Sequence, residues 1–140
     1  MTRFISLLPE GATMAAGHPI EYASTRTIES EAFPGVTYTI YRMSFGRRVE
    51  LTKRIRELGQ KIEFLEAGSD VRDKIEAAFL AHQIEKLYLE WGLREVSGLV
   101  IDGHEAGPAE LIESGPEELC REIVSAIKAE CGLTESERKN

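Results

Sequence analysis

Apolar side chains recur at helical spacing in three stretches. Over residues 44–67 they fall at Leu51, Ile55, Leu58, Ile62 and Leu65, in steps of four, three, four and three. That is a narrow one-sided stripe, which predicts a helix packed along a single face. Ser44 stands where an N-cap belongs, Gly68 where a helix stops, and Ser69 or Asp70 where the next one is capped. Over 71–91 the apolar set is wider: Val71, Ile75, Ala78, Phe79, Leu80, Ile84, Leu87, Tyr88 and Trp91. Such breadth predicts a helix buried on more than one side and placed at the centre of the core. The link between the two is short, so they should form an antiparallel hairpin with 44–67 at the surface. The third stretch, 116–131, places Leu119, Cys120, Ile123, Val124, Ile127 and Cys131 on one face. Pro116 suits its first turn, Glu117 and Glu118 its positive end, and Gly132 its stop.

Elsewhere the pattern is that of strands. Residues 23–29 are rich in β-branched side chains, and 36–43 alternate with Val36, Tyr38 and Ile40 on one face. The Pro34-Gly35 turn between them predicts an N-terminal antiparallel hairpin. Val96 and 99–101 also read as strand, and Asp102-Gly103 is a tight-turn pair, which predicts a short hairpin near 96–106. A helical turn fits 109–113. The expectation is an α+β fold with three main helices, about 44–67, 71–91 and 116–131. A flexible arm over 1–18 would precede a single domain over 19–133, followed by a polar tail over 134–140.

Composition narrows the class. At 140 residues with 42% hydrophobic and 29% charged side chains, the chain is of ordinary single-domain size and needs no metal or disulfide to fold. Cys120 and Cys131, eleven residues apart on one helix, would be separated by about 16 Å and cannot bridge. Free thiols on an apolar face suit a reducing, cytoplasmic setting. No apolar run approaches a membrane span, and the short run at Phe4–Leu8 is not a secretory leader.

The net charge of −7 disfavours nucleic acid and anionic membranes as general partners, but it is unevenly spread. Residues 40–62 carry +5 and the rest of the chain −12. Arg47, Arg54 and Lys61 recur every seven residues and share a helix face, a candidate contact for an acidic partner. The alternative is a solvated face, with Glu50 and Glu57 four residues ahead of Arg54 and Lys61 in the favourable ion-pair orientation. The 51–65 stripe could also serve a homo-oligomer, although two heptads are short for a coiled coil. His18, His82 and His104 are scattered, and no metal motif, phosphate loop or nucleophile elbow occurs. No catalytic residue, metal or cofactor is expected, and the chain is not expected to be an enzyme.

Three stretches taken in order, LEWGLREVSGLVIDG (89–103), GPEELCREIVSAI (115–127) and CGLTESERKN (131–140), resemble small proteins encoded among the tail genes of tailed bacteriophages and prophages, including tail assembly chaperones. In these a Trp closes a helix, a DG turn follows, a P-E-L helix comes next, and a GL-(S/T)-E-E-E-x-K-N end completes the pattern. Ser136 stands where that pattern is acidic. The resemblance covers about 85–140 and implies a protein in the bacterial host cytoplasm that keeps the tape-measure or another tail protein soluble during assembly, with no catalytic residues to carry over. The alternatives are a minor virion or head–tail connector protein, or a nucleic-acid-associated regulator using residues 42–61.

Overall fold

The structure, a computed structural model, describes residues 17–67 and 70–132. The expected arm and polar tail lie outside the described residues, apart from positions 17 and 18. The element order is β1 (Thr25–Glu29), β2 (Thr37–Tyr41), α1 (Phe45–Glu66), α2 (Val71–Gly92), β3 (Leu93–Ser97), β4 (Val100–Ile101), β5 (His104–Glu105), α3 (Pro108–Ser114) and α4 (Glu117–Glu130). The fold is α+β, and the described residues form four helices, a three-stranded antiparallel sheet in the order β1-β2-β3, and a separate β4-β5 hairpin.

The N-terminal hairpin pairs Thr25 with Tyr41 through to Glu29 with Thr37. Val36, Tyr38 and Ile40 share its buried side, as their alternation requires. β3 was not expected in this sheet. Its two apolar residues, Leu93 and Val96, are three apart and break the period-two signal of a half-buried strand. A register shift between Thr39 and Ile40 resolves this: Val96 faces Tyr38, and Leu93, with Arg94 skipped, faces Ile40. An irregularity that adds one residue puts side chains three apart on one face. β3 closes against β2 without a linker, because Gly92 ends α2 and Leu93 begins the strand. At the other end Gly98 (φ +84°) passes so close to the Gly35 carbonyl that a Cβ there would overlap it. The Asp102-Gly103 hairpin forms as expected, both residues at positive φ, pairing Ile101 with His104 and Val100 with Glu105.

The core's centre differs from the expectation. The most deeply buried side chains are Tyr88, Ile40, Leu111, Leu119, Ile123, Ile127 and Cys131, four of them from α4 and its C-cap. α4 packs on the sheet's buried face and against the C-terminal half of α2. α2 is central only there, at Tyr88, Leu89 and Gly92, where a Cβ on Gly92 would press into Ile127. Its N-terminal half extends beyond the body with α1 as its packed neighbour, so Val71, Ile75 and Phe79 stay exposed. The stripe on α1 turns inward. Leu51 is buried and Ile55, Leu58 and Ile62 are half-buried, so the described part of the stripe packs within the α1–α2 hairpin. Ser44 Oγ caps α1 through the Arg47 amide at 3.2 Å, and Asp70 caps α2 through the Arg72 amide at 2.9 Å.

Candidate protein-interaction surface

The basic residues of α1 divide into two kinds. Arg47 is half-buried and held by its neighbours. Its guanidinium lies 4.2 Å from the Tyr41 ring centroid and 4.4 Å from that of Trp91, so two aromatic faces sandwich it. One terminal nitrogen donates to the Trp91 carbonyl, while Nε is buried with no hydrogen-bond partner. The expectation that Arg47 stands free in an exposed basic strip is therefore corrected. Two aromatic rings, six and forty-four residues away, take up the cation and tie the start of α1 to β2 and the end of α2. This also counters a poor local choice, since a cation in a helix's first turn opposes the macrodipole.

Arg54 and Lys61 remain exposed. Arg54 Nε donates to Glu50 at 2.6 Å, the ion pair that the four-residue spacing suggests. Glu57 and Lys61 form no such pair among the described residues. At about 100° per residue, Arg47, Arg54 and Lys61 lie within roughly a 40° arc beside the seam between α1 and α2. Open clefts follow this seam. One of about 360 Å³ is lined by Tyr41, Arg47, Arg54, Leu87, Glu90 and Trp91. The next, of similar size, lies between Arg54, Leu58, Gln83 and Glu90.

The hairpin also leaves apolar side chains uncovered. Phe45, Val49, Phe64, Val71, Ile75 and Phe79 all stay exposed, with Phe45 at 87%. On α1, Val49 and Phe64 point away from α2 together with Lys53 and Arg56. Singly exposed apolar residues are ordinary, and several on one element make the hairpin a candidate binding surface. Sequence reading missed this surface, because Val71, Ile75 and Phe79 were assigned to a second buried side.

A polar knot holds the β1-β2 loop to α4. The Glu122 carboxylate accepts from Ser30 Oγ at 2.9 Å, the Glu31 amide at 3.1 Å, the Ala32 amide at 3.2 Å and the Tyr38 hydroxyl at 3.1 Å. Burial alone would raise its pKa, but these four donors outweigh burial and hold it below the usual carboxylate range. For Tyr38 burial and the neighbouring carboxylate act together, and its hydroxyl is pushed up to about 12. Nearby, Glu130 takes Arg26 at 3.2 Å and Arg42 at 3.8 Å. The arrangement is a loop anchor whose acceptor sites are filled from within the chain.

Both thiols are free. Burial raises the pKa of each, that of Cys131 to about 11 despite Arg48 nearby. Among the described residues no three His, Cys, Asp or Glu side chains are grouped so as to hold a metal ion, and no helix is long and apolar enough to cross a membrane. The chain matches no protein-family model, no curated protein and no solved structure.

Proposed function

We propose that the chain acts by binding another protein and, following the resemblance of its C-terminal half, that it is a tail assembly chaperone of a bacteriophage or prophage, working in the host cytoplasm on the tape-measure or another tail protein. The observation that carries the reading is the projecting α1–α2 hairpin, whose large apolar side chains are left open beside exposed Arg54 and Lys61. A partner segment with alternating apolar and acidic residues fits α1's outer side: Val49 and Phe64 take the apolar contacts, Lys53 and Arg56 take charges between them, and Arg54 and Lys61 take charges along the edge toward the seam.

The test is co-expression with the products of neighbouring tail genes. The chain should raise the soluble yield of one of them and co-purify with it. Val49→Glu, or Arg54→Ser together with Lys61→Ser, should abolish co-purification while leaving the circular dichroism spectrum unchanged. If no product of that gene cluster is solubilised or retained, the reading fails. A salt-sensitive gel shift with duplex DNA or single-stranded RNA would reassign the basic edge to nucleic acid.

A further inference from the structure

α2 carries two apolar faces, and among the described residues only one of them is packed against other elements. Ala77, Leu80 and Ile84 face inward, the first two buried and the third half-buried. Val71, Ile75 and Phe79 recur every four residues within roughly an 80° arc on the other side, about 170° away. They are 69%, 66% and 54% exposed. Toward the C-terminus the same face is covered: α3 approaches Lys86, Leu89 and Glu90, and Leu89 is buried. The stripe is therefore open from Val71 to about Lys86, and beyond it α3 covers Leu89.

We propose that a second copy of the chain covers this stripe, its α2 running antiparallel across a two-fold axis at Ile75. Three observations select that occupant and that direction. The first is the charge pattern on the flank. Arg72 and Glu76 lie on the same side of the stripe, one turn apart, and both are exposed. An antiparallel two-fold brings the same flank of both helices together. With Ile75 on its own copy, each Arg72 then comes within about 3 Å, measured along the axis, of the other copy's Glu76. A self-complementary charge pair of this kind is what an isologous contact requires. The opposite flank presents small Ala78, with Lys74 turned farther round.

The second observation is steric. In a parallel pair the two α3 helices would meet at the axis, since each covers the same face of its own α2. In the antiparallel pair the other copy's helix begins opposite Phe79 and stops short of α3. The third is apolar matching, because that register sets Val71 against Phe79 twice and Ile75 against itself. The contact spans little more than two turns and lies near the lower limit of about 1,000 Å² for a specific interface. The dimer should accordingly dissociate with a Kd on the order of 10 μM.

Sedimentation equilibrium of the full chain between about 1 and 100 μM should show the mass rising from one copy to two. Ile75→Glu should weaken association at least about tenfold, a loss near 1.4 kcal/mol, with an unchanged far-ultraviolet spectrum. Arg72→Glu or Glu76→Arg alone should weaken it, and the two together should restore it. Under mild oxidation Ile75→Cys should cross-link to itself. Phe79→Cys should cross-link to Val71→Cys and not to itself. A chain that stays monomeric throughout the range overturns the proposal and leaves the stripe to a protein of different sequence. A dimer indifferent to Ile75→Glu, or efficient self-cross-linking at 71, 75 and 79 alike, overturns it as well. These outcomes are independent of tail-protein capture, which is assigned to the other helix of the hairpin.

Discussion

Glu122 shows how one carboxylate organises a loop that has no regular structure of its own. Residues 30–36 leave β1 and return as β2, and their amides at Glu31 and Ala32 have no strand partner. Glu122 supplies the missing acceptors from α4, and Ser30 Oγ, while donating to it, also accepts from the Phe33 amide at 2.9 Å. Glu122→Gln keeps the shape but removes the charge and one acceptor oxygen, so it should cost about 1–3 kcal/mol in urea unfolding at neutral pH. The pH dependence has a definite sign. The folded-state pKa is lowered, so the carboxylate's contribution is complete above the ordinary carboxylate range and is lost as pH falls through the lowered value. The stability gap between parent and variant should therefore narrow in acid. A gap that stays constant down to strongly acidic pH would show that the charge contributes nothing.

At the scale of elements, the contrast within α1 is the sharpest consequence. Arg47→Ala removes two ring contacts and a charged hydrogen bond to the Trp91 carbonyl, and should cost about 2 kcal/mol. Arg54→Ser with Lys61→Ser removes one exposed ion pair and should cost less than about 1 kcal/mol. Equal losses in thermal unfolding would refute the division between a structural and a solvent-facing set. The seven-residue spacing of these three residues was legible in the sequence, and so was their shared face. What one of them touches was not, because Tyr41 and Trp91 reach Arg47 only after β2 and α2 have folded around it. The same limit explains β3. Its residues are adjacent to a well-marked helix end, but a bulge hides their common face from any period-two pattern. Elements whose signal is local, such as the α1 stripe, the Val36-Tyr38-Ile40 alternation and the Asp102-Gly103 turn, were read correctly. Glu122 could not be singled out, since 24 acidic side chains look alike until the fold brings donors to one of them.

Across the whole molecule, stability should fall from the body toward the tip of the hairpin. The body has a continuous core in which Ile40 from the sheet, Leu111 from α3 and Leu119, Ile123 and Ile127 from α4 are fully excluded from water. Beyond Leu80 toward its N-terminus, α2 contributes Ala77 as its buried apolar side chain, and Val71, Ile75 and Phe79 face outward. Local opening of that end exposes little further apolar surface and needs no disruption of the core. Native-state hydrogen exchange should then show the amides of Tyr38–Ile40 and 123–127 exchanging only with global unfolding. Amides over 74–79 and 58–63 should exchange about a hundredfold faster or more. The two halves of α2 should thus differ although they belong to one unbroken helix. The gradient also depends on what covers the outer stripe. If a second copy pairs there, protection over 74–79 should rise with protein concentration while that over 123–127 stays fixed, because binding stabilises only the states that present the paired face. Uniform protection along α2 in dilute solution would mean that the single chain already braces its far end, contrary to the exposure of Val71, Ile75 and Phe79.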